Sequence, residues 1–227
     1  MRARRMGLEA TLRLTEVLLA IALLQRGAEH LAREPALFAP QIVLALALAG
    51  GLAPHLALIG IWLLGLAQLC RFCGPYNGGA DKMVLLCVSA LTVANLLPAL
   101  APVALGYLAV QVILSYFVSG WVKLRNRDWW SGHALAEVFA YSVYPSAEDL
   151  RPLARHQSAM RWTSRVVIAF ELAFPLALIT PITLSVAVCL AAVFHLLNAL
   201  LLGLNRFFWA WLAVLPSTLW LQSRLVG

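Results

Sequence analysis

Lys123 ends a long apolar run, in the stretch Ser119-Gly120-Trp121-Val122-Lys123-Leu124-Arg125-Asn126-Arg127-Asp128-Trp129-Trp130-Ser131-Gly132-His133. An amine held beside low-dielectric surroundings and other cations can serve as a base or a nucleophile. Arg125 and Arg127 would supply the cations, and Trp121, Trp129 and Trp130 the bulk that excludes water. The same residues also describe a lysine snorkelling from a membrane helix into an aromatic belt. His133 and Glu137, four apart, face the same way on a helix. Their contact either sets an imidazole tautomer for proton transfer or is a plain solvated pair. Glu171 lies about two turns into the apolar helix of Val166 to Pro175, where a carboxylate costs roughly 2.5–3.5 kcal/mol on insertion scales. It is therefore expected to face a cavity, an arginine, or backbone freed by Pro175. His195 and Asn198 share a helix face at three-residue spacing, and either line a polar cavity or hydrogen-bond helix to helix.

Other polar residues read more locally. Arg13 and Glu16 can pair within the first helix as a structural contact. Cys70-Arg71-Phe72-Cys73 has the spacing of a redox thiol pair, but that pattern alone specifies little. No second His or Cys cluster offers further ligands, so no metal is expected. In Gly74 to Lys82, Asn77-Gly78-Gly79 reads as a tight turn, and Asp81 as the cap of a helix starting at Lys82.

The elements that must position these groups are membrane helices. Of 227 residues, 62% are hydrophobic and 12% charged, against roughly half and a quarter in a soluble domain. The apolar residues fall in runs near 9–26, 37–51, 54–71, 83–99, 102–122, 164–181, 182–203 and 206–222. The expected fold is an all-α polytopic transmembrane bundle of about eight spans (seven to nine), as a single domain over residues 1–227. Gly50 to Pro54 is either a tight hairpin or a break in one helix. The longest hydrophilic stretch runs from Lys123 to Arg165, and His133 to Tyr144 within it has the spacing of an interfacial helix. Pro145 to Asp149 reads as a turn and a helix start. The N-terminal segment reads as a retained first helix, because Arg13 and Glu16 interrupt a signal-like apolar region. The net charge is +7, but the 17 basic residues fall mostly between apolar runs, where they meet lipid headgroups. No basic helix or aromatic platform offers a nucleic-acid surface. With eight spans, the positive-inside rule places the long segment in the cytoplasm.

Taken in order, several blocks resemble the membrane domain of vitamin K-dependent gamma-carboxylases and their bacterial relatives, the horizontally transferred transmembrane (HTTM) domain proteins. These blocks are Tyr76 to Met83, Gly120-Trp121-Val122-Lys123-Leu124, Asp128-Trp129-Trp130-Ser131-Gly132, Glu171 to Pro175, and Phe194-His195 through Trp211. The resemblance implies a protein of the bacterial inner membrane. It also implies a reduced naphthoquinone, vitamin K-like, deprotonated by the lysine that falls on Lys123. Trp129 and Gly132 match the family block, and Glu171, His195 and Asn198 would line the quinol pocket, with His133 as a second proton-transfer group. Three departures accompany it. One extra residue separates Lys123 from Asp128, glycine stands where animal carboxylases carry a catalytic histidine near Asn77-Gly78-Gly79, and the chain ends soon after its last apolar run. Processive carboxylation of a peptide is therefore not expected. The family topology also implies an extracytoplasmic site, opposite to the charge count. Lipids, a quinone and other membrane subunits are the expected partners. The rival to a quinol enzyme is a non-catalytic subunit or scaffold of a larger membrane complex. A transporter is less supported, since no internal repeat is visible.

Overall fold

The computed structural model describes residues 7–71, 78–141 and 145–226, and all regular structure among them is helical. The helices are α1 (Leu8–His30), α2 (Pro35–Gly50), α3 (Pro54–Arg71), α4 (Gly79–Leu96), α5 (Ala101–Arg125), α6 (Arg127–Ser131), α7 (His133–Tyr141), α8 (Gln157–Ala173), α9 (Pro181–Leu202) and α10 (Asn205–Leu225). Short 3-10 segments occupy Pro98–Leu100, Pro145–Arg155 and Phe174–Ile179.

Four helical segments are long and apolar enough to cross a membrane: Gly79–Leu96, Pro98–Arg125, Gln157–Ile179 and Pro181–Leu202. The other four long helices occupy expected spans without meeting that standard. At 16 and 18 residues, α2 and α3 rise only about 24–27 Å, short of a roughly 30 Å hydrocarbon core. Arg13, Glu16, Arg26 and Glu29 interrupt α1, and α10 carries Arg206, Gln222 and Arg224 among its tryptophans.

The chain divides into two compact units, Met1–Val110 with Arg206–Gly227, and Gln111–Asn205. In the first, α1 packs on α2 and α4, and α2 and α4 both pack on α3. Leu19, Leu23, Leu48, Leu58, Leu91 and Leu108 are fully buried there. The α2–α3 connection is a tight hairpin. Gly51 adopts φ 71°, and the Leu52 N–H donates to Ala47 O at 2.8 Å, which satisfies the carbonyls left at the helix end. Arg13 reinforces that end. Its guanidinium donates to Leu48 O at 2.7 Å and to Ala49 O, and to Glu16 Oε2 at 3.1 Å. Glu16 in turn accepts from Asn95 Nδ2 at 3.0 Å. The charges that break the apolar pattern of α1 thus close α2 and tie α1 to α4.

Asp81 is not a helix cap. The helix α4 begins at Gly79 with Gly78 as its N-cap residue, so Asp81 lies inside the first turn. Its carboxylate instead faces Arg26 at 3.6 Å and Arg206 at 3.5 Å. Two cations on one carboxylate outweigh what a single backbone N–H would offer.

In the second unit, α6 and α7 pack on α8, and the 3-10 segment Pro145–Arg155 packs on α7 and α9. Ala136, Phe139, Met160 and Leu202 form a small core under that segment. The helix α8 tightens to 3-10 geometry at Phe174. Pro175 causes this, because it has no N–H to offer the Glu171 carbonyl and its ring crowds that oxygen. A capping box between Thr180 and Thr183, with Pro181 in the first turn, starts α9, and Gly203 at φ 69° ends it. The helix expected within His133 to Tyr144 is observed as α7 over His133–Tyr141, while Tyr144 lies outside the described residues.

Candidate functional site

On α5, Tyr116, Ser119, Gly120 and Lys123 recur at spacings of three, four and seven, which places them on one face of the helix. That face meets α8. A side chain at Gly120 would put its Cβ 2.9 Å from Glu171 Cβ and 2.9 Å from the Leu172 backbone nitrogen. The two backbones approach this closely only because residue 120 has no side chain.

The close approach joins Lys123 to Glu171. Lys123 Nζ donates to both carboxylate oxygens, at 2.6 and 2.7 Å. Ser119 Oγ completes the triangle, accepting from Lys123 Nζ at 2.7 Å and donating to Glu171 Oε1 at 3.1 Å. The Glu171 side chain is 4% exposed and that of Lys123 17%, so the carboxylate is the more deeply buried partner. Trp129, from α6, sets its ring face 5.3 Å from Nζ. Its carbonyl accepts from Ser164 Oγ of α8 at 2.5 Å, which holds α6 in place.

Further back along the same face of α5, Tyr116 Oη lies 2.8 Å from His195 Nε2 of α9. Both residues are buried. The Tyr116 ring stacks on Phe174 at 4.1 Å and meets the edge of Phe170 at 5.9 Å. Phe194 lies 5.0 Å from the His195 ring. Polar groups thus occur along one stripe of α5 inside an aromatic wall.

The remaining candidates sit differently. Gly132 is buried and has φ 84°. It ends α6 and lies beneath the α8 backbone, where a Cβ would come within 2.7 Å of the Met160 carbonyl carbon. Its place is to let α6 and α8 touch. Asn198 is half-buried on α9, and its main-chain carbonyl accepts the Leu204 N–H at 3.2 Å where the helix ends. His133 pairs with Glu137 at 3.3 Å, but these side chains are 58% and 55% exposed, so the pair belongs to the surface. Cys70 is an exposed free thiol, and Cys73 lies outside the described residues, as do Tyr76 and Asn77 of the turn before α4. Among the described residues, no group of three or more His, Cys, Asp or Glu gathers as a metal site.

Sequence reasoning passed over Ser119, Tyr116 and the packing role of Gly120. The available signal was their helical spacing from Lys123, which becomes informative once α5 runs unbroken through Lys123.

A family model for the HTTM domain matches residues 95–222. The chain belongs to the HTTM domain family. The matched residues contain all of α5 to α9 and most of α10, and with them every member of the Lys123–Glu171 and Tyr116–His195 pairs. No curated protein and no solved structure matches the chain. With four helical segments of spanning length and apolarity, this HTTM protein is an integral membrane protein.

Chemically, Lys123 and Glu171 form a close ion pair whose distances would allow a proton to pass between them. A shift of one proton across 2.6 Å converts ammonium and carboxylate into amine and acid, with Ser119 bonded to both partners. Of the two side chains, that of Lys123 is the less deeply buried.

Proposed function

We propose that this HTTM protein is a carboxylase-like membrane enzyme in which Lys123 takes the proton of a quinol hydroxyl. All eight long helices then pass through a bacterial cytoplasmic membrane. The observation that carries it is the Lys123–Glu171 pair, with its deeply buried carboxylate and less buried amine. The residues suit a flat apolar ring with an ionisable hydroxyl: Trp129, Phe170, Phe174 and Phe194 supply aromatic surface, and the pair supplies the polar contact. A reduced naphthoquinone would supply a hydroxyl that, once deprotonated, reacts with oxygen. Lys123 accepts that proton after passing its own to Glu171. Ser119 holds the amine against the carboxylate during the exchange, and Trp129 covers the amine against water.

Oxygen uptake by purified protein given a reduced naphthoquinone tests this, comparing wild type with Lys123→Ala. Removal of the base is expected to lower the rate by about 10²–10⁴-fold. One observation favours a second reading, a non-catalytic subunit that packs within a larger complex. Glu171, Ser119 and Lys123 satisfy one another, so the triangle also serves as a plain tie between α5 and α8. Equal uptake in both proteins, or none from folded wild type, favours the subunit. Stable co-purification with a partner, retained when Lys123→Met and Glu171→Leu together replace the pair by apolar groups, then becomes the expected result.

A further inference from the structure

The end of α1 and the starts of α4 and α10 converge within the first unit on a cluster that the reading of Lys123 does not use. Arg206, near the start of α10, places Nη2 3.0 Å from His30 Nε2, Nε 3.3 Å from Glu29 Oε2 and Nη1 3.5 Å from Asp81 Oδ2. Arg26 reaches the other Asp81 oxygen at 3.6 Å, and its guanidinium lies 5.8 Å from the centre of the Phe38 ring. His30 faces the same ring, with centroids 4.9 Å apart.

These contacts dictate the proton on His30. Its Nδ1 lies 3.1 Å from the Arg26 carbonyl, an oxygen that only accepts, so Nδ1 carries the hydrogen. Arg206 only donates, so Nε2 must present its lone pair. Both partners therefore require one tautomer of the neutral ring.

We propose that His30 is a proton-sensitive latch, fastening the start of α10 to the end of α1 while neutral and releasing Arg206 when the adjoining compartment acidifies. A second ring proton would point at a guanidinium. It would also put a third positive charge beside Arg26 and Arg206, which face, among the described residues, the carboxylates of Glu29 on α1 and Asp81 on α4. The contact from α2 is the uncharged Phe38 ring. Arg33 and Glu34, which follow α1, give backbone N–H groups to the His30 carbonyl and have exposed side chains.

His30 is the last residue of α1, past its apolar run at 9–26, and lies outside the four segments of spanning length and apolarity. Burial first, and the Arg206 charge second, hold its ring below the ordinary histidine range, against the opposing pull of the Arg26 carbonyl and Glu29. The unfolded chain therefore binds this proton more readily than the folded one. The latch is at full strength above the ordinary value of 6.5 and weakens as pH falls below it.

Thermal unfolding of wild type, His30→Gln and Arg206→Gln in lipid nanodiscs at pH 7.5 and 5.5 tests the latch. The pH-induced fall in Tm is expected to be roughly 1–3 °C larger in wild type, a modest shift because solvent screens a half-buried ring. An equal fall in all three overturns the proposal. Should His30→Gln fail to fold, Arg206→Gln carries the comparison, because it removes the cation that a protonated ring would meet. Hydrogen exchange on wild type alone adds a local readout. Corrected for its intrinsic pH dependence, exchange over residues 205–209 is expected to quicken at pH 5.5, and unchanged protection there also overturns the latch.

Discussion

Glu171→Gln is expected to destabilise the folded protein by about 3–5 kcal/mol, because it leaves the Lys123 ammonium largely buried with no countercharge. The carboxylate that it replaces takes two hydrogen bonds from Nζ and one from Ser119, and its side chain is 4% exposed. The glutamine amide accepts through one oxygen only and directs its NH₂ toward a group that is itself a donor. Denaturant unfolding in mild detergent measures the loss. The paired replacement Lys123→Met with Glu171→Leu is expected to recover most of that stability, since exchanging a buried ion pair for packed apolar groups is often neutral or stabilising by about 1–4 kcal/mol. The double variant also separates the two functional readings. A folded double variant without quinol-dependent oxygen uptake would assign chemistry to the pair beyond its structural tie. A stable Glu171→Gln would contradict the geometry, because it would mean that the carboxylate does not hold α5 to α8.

The second large effect is expected at Gly132→Ala, which combines two costs. At φ 84° the backbone is left-handed, a strain of roughly 1–2 kcal/mol for an L side chain. The added Cβ would also fall within 2.7 Å of the Met160 carbonyl carbon, and backbone cannot step aside as a flexible side chain does. Overpacking of this kind adds about 1–3 kcal/mol. A total of roughly 3 kcal/mol is therefore expected in thermal or denaturant unfolding. The displacement would act on the site as well. Moving α6 off α8 stretches the bond from Ser164 to the Trp129 carbonyl and carries the Trp129 ring away from Lys123. Ser131→Ala is the matched control: Ser131 is exposed, and among the described residues its hydroxyl makes local bonds around the α6–α7 turn, so its loss is expected to stay within about 0.5 kcal/mol. Equal stability of Gly132→Ala and wild type would mean that α6 and α8 are not pressed together at this glycine.

Composition and local pattern alone determined that this chain is a helical membrane protein, and roughly where its helices lie. A long apolar run must satisfy its backbone internally and therefore coils into helix whatever its neighbours do. The Arg13–Glu16 and His133–Glu137 contacts were legible for the same reason, since three or four residues along one helix is a distance that the helix itself sets. The sequence also showed that Glu171 needed a partner. It did not show which, because Lys123 is 48 residues away and reaches it only where Gly120 lets α5 and α8 touch. Tyr116 looked like one more aromatic in an apolar run until the fold brought His195 to its hydroxyl. Asp81 obeyed the local rule for a cap, yet the fold gave it Arg26 and Arg206. Capping and helix-face rules operate over about four residues, whereas a buried charge is matched by whichever helix packs against it. That choice belongs to the tertiary structure.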